Sequence, residues 1–238
     1  MSDSGFKIHA LELGPMLNFV YLIEDIATRR TAVVDPAWDV PAIITEAEKL
    51  DLKITDILLT HSHHDHINGI EGILEHGHAE MHLLKPEFEF WGSNIAKPCL
   101  HHGGDDIALG ESQIKVLHTP GHTPGSACYQ LGNEIITGDT LFVFGCGRCD
   151  LSGGNPEEMF ETLRQMKHEL PDDMLIHPGH NYSVKKTCTF AEQVEGNPFL
   201  HYDDKPEFIN YRMDVHDKTR DEPYDTMSKQ QLRIANLL

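Results

Sequence analysis

Thr60-His61-Ser62-His63-His64-Asp65-His66 decides how the rest of the chain is read. His61, His63, Asp65 and His66 are all metal-ligating side chains. The apolar run Ile54–Leu59 precedes them and reads as a buried strand, and a helix can begin at Ile67-Asn68-Gly69-Ile70. The ligands therefore sit on a loop at a strand end, where a rigid scaffold aims them. Imidazole suits zinc and iron, and a carboxylate adds a hard oxygen and negative charge. Four ligands this close are hard to wrap around one ion. Splitting them is easier: His61 and His63 to one ion, Asp65 and His66 to a second. A zinc finger would need cysteines at paired spacing, and none is near. A solvated histidine-rich loop is the bland reading, and ligand-like spacing argues against it.

The His-x-His-x-Asp-His pattern resembles the signature of the metallo-β-lactamase superfamily. Three later residues match that resemblance. His122 lies between the turns Thr119-Pro120-Gly121 and Thr123-Pro124-Gly125. Asp139 follows a strand and Gly138. His180 follows Pro178-Gly179 at another strand end. Each alone is more often structural. The resemblance implies a first site of His61, His63, His122 and Asp139. It implies a second of Asp65, His66, His180 and the same Asp139 as bridge. The implied cofactors are two divalent ions, zinc first, with iron or manganese as the other options. Two ions about 3.5–4 Å apart would hold a bridging hydroxide that attacks an acyl carbon, with Asp65 orienting it. His64 is read as a non-ligand. Asp35 is read as a partner for a ligand histidine or as a strand-end structural group.

The chain has 238 residues, enough for one αβ domain with a short extension. Its formal charge of −19 argues against nucleic acid. No apolar run approaches a membrane span. Met1-Ser2-Asp3-Ser4 shows no secretory pattern, so the expected compartment is the cytoplasm. The five cysteines are an odd, sparse set that suits reduced thiols. Cys146-Gly147-Arg148-Cys149 could be a redox pair, but its glycines favour a loop.

Strands are expected at Phe6–Leu13, Asn18–Ile23, Thr31–Val34, Met81–Leu84, Ile114–His118, Ser126–Leu131, Glu134–Thr137 and Met174–Ile176. Asp39 and Asn155-Pro156 announce helices. A third helix is expected over Ile67–Glu75. Lys85–Asp106 reads as irregular, with His101-His102 in a solvated loop. Strand–helix alternation alone also allows an open parallel sheet. The resemblance implies an αββα two-sheet sandwich. The expected division is a catalytic domain over 1–185 and a helical extension over 186–238, whose role could be a lid, a homodimer contact or a solvated helix.

Thr137–Val143 with Gly145-Cys146-Gly147-Arg148 resembles glyoxalase II, the hydroxyacylglutathione hydrolases. That resemblance assigns glutathione contacts to Arg148 and Tyr182 and implies a small-molecule thioester substrate. Two departures stand out. Asp150 replaces a substrate-contacting tyrosine, and the stretch after His180 is shorter than the family's helical domain. Arg148-Cys149-Asp150 and Asn197-Pro198-Phe199-Leu200 also resemble the persulfide dioxygenases, which use one iron and O₂. β-Lactam hydrolysis fits less well, because a bridging Asp139 marks the thioesterase-like branch. A metal-binding protein without turnover is the third class, and it would show a replaced ligand.

Overall fold

The computed structural model describes residues 5–95 and 97–238. A six-stranded sheet keeps chain order: β1 (Phe6–Leu13), β2 (Asn18–Asp25), β3 (Arg30–Val34), β4 (Lys53–Leu58), β5 (Glu80–Leu84) and β6 (Cys99–His101). β1 to β3 are antiparallel; β3 to β6 run parallel. The chain continues through β7 (Asp106–Leu109), β8 (Ser112–His118), β9 (Ala127–Leu131) and β10 (Glu134–Gly138). A two-stranded ribbon follows, β11 (Leu141–Phe142) and β12 (Gly145–Cys146), then β13 (Leu175–Pro178) and β14 (Cys188–Thr189). These build a second six-stranded sheet in the order β14-β13-β10-β9-β8-β7.

The core explains the layering. In β2, Phe19, Tyr21 and Ile23 face Ile114, Val116, Tyr129 and Ile136 of the other sheet. The alternate residues Val20 and Leu22 pack outward against Ile43 and Ala47 of α1 (Val40–Lys49). A strand buried on both faces reads as a continuous apolar run, as Asn18–Ile23 does. The outer face of the second sheet, Cys128, Ile135 and Ile176, packs on Met159, Phe160, Leu163 and Met166. Helix, sheet, sheet, helix is the αββα sandwich.

Two local expectations are corrected. The helix expected over Ile67–Glu75 is two helices, α2 (His64–Ile67) and α3 (Ile70–His76), broken at Asn68-Gly69. A Cβ on Gly69 would lie 2.8 Å from the Pro36 carbonyl oxygen, so the chain must turn there without a side chain. Lys85–Asp106 is not irregular throughout. It contains α4 (Lys85–Trp91), with proline in its first turn and Gly92 at φ 64° as its stop, and it contains β6. Within β6, His101 is no solvated loop residue: its Nε2 lies 3.0 Å from His82 Nδ1. His102 is exposed.

α5 (Pro156–Glu169) starts as its sequence announces, with the Asn155 side chain accepting from the Glu157 and Glu158 amides. After β14 the chain is largely helical: α6 (Phe190–Gly196), a 3₁₀ turn Pro198–His201, α7 (Lys205–Asn210), a π turn Tyr211–Val215, α8 (His216–Thr219) and α9 (Lys229–Ile234). Phe190, Phe199, Phe208, Tyr211 and Leu232 join the same core as α5. No helix among the described residues is long and apolar enough to cross a membrane.

Candidate metal centre

Both sheets end at one edge of the sandwich, and the expected ligands collect there. β4 runs out at Leu58 into His61–His66. The β8–β9 turn carries His122. β10 ends at Gly138 before Asp139, and β13 ends at Pro178 before His180. The edges are stitched across the sandwich, with Ala127 N donating to Thr60 O at 2.8 Å and Phe19 N to Gly179 O at 2.8 Å, while Gly179 N donates to Gly138 O of the neighbouring strand in its own sheet at 2.8 Å.

Ligand atoms of His61, His63 and His122 form one group, and those of Asp65, His66 and His180 a second, each within 4.8 Å of one another. Asp139 lies between them. Its Oδ1 is 3.3 Å from His66 Nε2, and its Oδ2 is 3.5 Å from His122 Nε2 and 3.3 Å from His180 Nε2. His63 Nδ1 and His122 Nε2 are 2.8 Å apart, and His66 Nε2 and His180 Nε2 3.1 Å. His64 is exposed and packs edge-on to Trp38, outside both groups.

The outward ring nitrogens show what the inward ones are for. His122 Nδ1 is 2.7 Å from the Arg148 carbonyl, His180 Nδ1 is 2.8 Å from the Met16 carbonyl, and His66 Nδ1 is 3.0 Å from Asp35. A carbonyl can only accept, so His122 and His180 donate outward and turn the Nε2 lone pair inward. His61 Nε2 and Asp139 Oδ1 are buried and make no hydrogen bond. Burying such atoms unpaired is costly, and a cation between them would remove that cost.

The charge state fits as well. Burial, with His66 adding to it, holds His61 well below the usual imidazole range, and burial brings His122 down to about 4. Both stay neutral, the form that ligates. Burial alone would raise Asp139, but His180 and His66 hold it well below the usual carboxylate range. Asp65 is lowered in the same sense by His66 and by Asn18. Burial would lower His66, yet Asp139, Asp35 and Asp65 raise it well above its ordinary value. The lowered His61 and His122 imidazoles and the ionised Asp65 and Asp139 carboxylates converge on one space, a donor set for divalent cations, and a cation there would take the place of the proton that the carboxylates favour on His66.

Several supporting residues carry no sequence motif. Asn18 Nδ2 donates to Asp65 at 3.0 Å and is itself held by Trp38 Nε1 at 2.8 Å. Glu87, fully buried on α4, accepts from the backbone of both histidine loops. Asn18 opens a predicted strand, which was its one signal; Glu87 lay in the stretch read as irregular.

A cleft of about 670 Å³ opens over the ligands, walled by Phe142, Arg148, Tyr182, Arg212 and Tyr224. The Tyr182 ring stacks on His180, with centroids 4.5 Å apart and planes 7° apart. Burial raises its phenol far above neutral pH, so it stays a donor. Arg148 lines the cleft but is gripped by Asp150 through bonds of 2.9 and 2.6 Å. Cys146 and Cys149 are buried free thiols, and burial pushes Cys146 up to about 12 and Cys149 higher still. Reactive redox cysteines are shifted the other way.

Comparison with known proteins agrees with this geometry. The family model for the metallo-β-lactamase superfamily matches residues 13–180. The chain is 31% identical over 209 residues to the probable polyketide biosynthesis zinc-dependent hydrolase PksB of Bacillus subtilis, covering 87% of this chain and 93% of that one. It is 37% identical over 191 residues to the cytoplasmic hydroxyacylglutathione hydrolase of Arabidopsis thaliana, covering 76% of this chain and 69% of that one. The crystal structure of ETHE1 from Myxococcus xanthus superposes with a TM-score of 0.80 at 30% identity, covering 88% and 91%. This chain belongs to the metallo-β-lactamase superfamily, an enzyme family in which its relatives include hydrolases.

Proposed function

We propose that the protein is a binuclear metallohydrolase that cleaves acyl thioesters. The observation that carries this is the position of Asp139 between two complete triads, within 3.5 Å of His122 on one side and 3.3 Å of His66 and His180 on the other. His61, His63 and His122 would hold one divalent cation, and Asp65, His66 and His180 the other, with Asp139 shared. When bound, such ions activate water at neutral pH and polarise a carbonyl oxygen. Zinc is the first choice, supported by a zinc-dependent hydrolase relative that matches nearly end to end.

The chain's own residues do the rest. Asp65 is held by Asn18 and keeps an acceptor oxygen at the rim of the cleft, placed to orient a water. Tyr182 and Phe142 offer flat apolar walls beside His180 for the acyl chain. A thiolate leaving group needs little protonation, so no further acid is required. Arg148 is the candidate contact for the thiol carrier, and its pairing with Asp150 tunes it toward a carrier that competes with that carboxylate. Glutathione is one such carrier, supported by the hydroxyacylglutathione hydrolase relatives.

The Arg148–Asp150 pair also favours a second reading, a mononuclear iron persulfide dioxygenase, because Asp150 stands where glyoxalase II has its second tyrosine. One experiment separates them. Zinc-loaded and iron-loaded protein is assayed for thiol release from a panel of acylated thiols, hydroxyacylglutathione included, and for O₂ uptake with glutathione persulfide. The expected result is thiol release without O₂ uptake, reduced in Asp139→Ala beyond the about 100-fold that loss of one stabilising donor costs. O₂ uptake without thioester cleavage, or a fully active Asp139→Ala, overturns the proposal.

A further inference from the structure

Behind the first triad stands one carboxylate that touches nothing else of the centre. Glu87 is in the first turn of α4 and has no exposed surface. Its Oε1 accepts from Ser62 N at 2.7 Å and from Ser62 Oγ at 2.6 Å. Its Oε2 accepts from Thr123 Oγ1 at 2.7 Å and from Gly125 N at 3.0 Å. Ser62 separates His61 from His63, and Thr123 follows His122. One side chain thus ties together the two loops that carry the three residues of that group, through neighbours of each, about sixty residues apart in sequence. Gly125 lies so close to α4 that a Cβ there would sit 2.0 Å from Glu87 N, so neither loop can drift without moving the helix.

The second triad has a different anchor. Asp35 Oδ2 holds His66 Nδ1, and Asp35 also accepts from Thr60 N and Thr60 Oγ1. His180 is held by the Met16 carbonyl and Asp65 by Asn18. None of these groups contacts Glu87.

We infer that Glu87 is a positioning residue for the first half of the centre alone, setting cation affinity at His61, His63 and His122 while leaving Asp65, His66 and His180 as they are. This rests on the binuclear reading above. Outer groups that orient ligands are typically worth about 10–100-fold in metal affinity. A carboxylate with four donors is replaced poorly by an amide, which keeps one acceptor oxygen and brings two donors of its own toward four donors.

The test is a Zn²⁺ titration of metal-free protein against a chromophoric competitor, with far-UV circular dichroism to confirm folding. Wild type should take up two cations. Glu87→Gln should keep one at wild-type affinity and bind the other about 10–100-fold more weakly. Adding Glu87→Gln to His122→Ala should remove no more cation than His122→Ala alone, because the same half is already lost. Should Glu87→Gln fail to fold, Ser62→Ala combined with Thr123→Ala keeps the carboxylate and both amide donors, and it must show the same selective loss. Two cations in wild type with equal weakening of both in the variants, or with no weakening, overturns this inference alone. Fewer than two in wild type overturns the binuclear reading and this inference with it.

Discussion

Oδ2 of Asp35 lies 3.0 Å from Nδ1 of His66, at the end of β3, with Asp35 held in the left-handed region at φ 50°. Asp35 also accepts from Thr60 N and Oγ1, at 2.7 and 2.6 Å. It therefore sets both the start of the histidine loop and the orientation of His66. Asp35→Asn keeps the size but leaves one acceptor oxygen for these three donors. Cation affinity at the His66 half should fall about 10–100-fold, with a smaller effect on His61, which touches Thr60 Oγ1 at 3.0 Å and has a ring nitrogen within 4.8 Å of an Asp35 oxygen. Metal titration of the variant checks this; unchanged affinity would mean that Asp35 only terminates the strand.

Acid stability should depend on Asp25. Its carboxylate joins β2 to the β7–β8 turn, accepting from Thr28 N and Oγ1 at 2.9 and 2.6 Å, and from Glu111 N, Ser112 N and Ser112 Oγ at 3.2, 3.0 and 2.8 Å. Burial alone would raise its pKa; the hydrogen bonds lower it below the usual value. A carboxyl depressed in the folded state stabilises above its unfolded pKa of about 3.9, and the contribution is lost as pH falls through the folded value. Asp25→Asn should cost about 1–3 kcal/mol at neutral pH. Urea unfolding should show that gap narrowing below about pH 4. A gap of the same size at all pH values would show that charge plays no part.

The fold was legible where one residue type did one job. Alternation placed β1 and apolar runs placed β2 and β4, Asp39 and Asn155 placed their helices, and the His-x-His-x-Asp-His loop, His122, Asp139 and His180 meet in space; the short strands β7, β11, β12 and β14 gave too few residues to be read. Glu87 was not legible. Pro86 and three aromatics, Phe88, Phe90 and Trp91, spaced without a clear helical period in only seven residues, do not announce the helix, and nothing local says that Glu87 faces Ser62. Asn18 escaped for a similar reason: its value lies in a contact with Asp65 made only when β2 and α2 pack together. Sequence shows which atoms can ligate; which atoms hold the ligands still is decided by long-range packing.

Thiol chemistry should separate the cysteines sharply. Cys99 is exposed, whereas Cys128, Cys146, Cys149 and Cys188 are buried, with burial pushing Cys128 up to about 11 and Cys188 to about 12. An aromatic disulfide reagent at pH 8 should titrate one thiol rapidly in the native protein and the rest only on unfolding. Cys99→Ser should remove the rapid phase. A rapid phase surviving in Cys99→Ser would restore a redox role for Cys146 and Cys149.

The helices after β14 should carry stability rather than decorate the surface. Phe208 on α7 is fully buried between Phe160, Phe199 and Tyr202, with ring centroids 5.4, 5.9 and 6.5 Å away. Phe208→Ala should cost about 3–5 kcal/mol in chemical unfolding. A loss below about 1 kcal/mol, far under that range, would show that residues 186–238 fold apart from α5.

The central claim is two cations on seven side chains. It is tested most directly by elemental analysis of protein purified without chelators or a histidine tag, reported as metal per chain. The account predicts close to two, with zinc leading, and a loss of both in Asp139→Ala. A single iron per chain, unchanged when His180 is replaced by alanine, would contradict it.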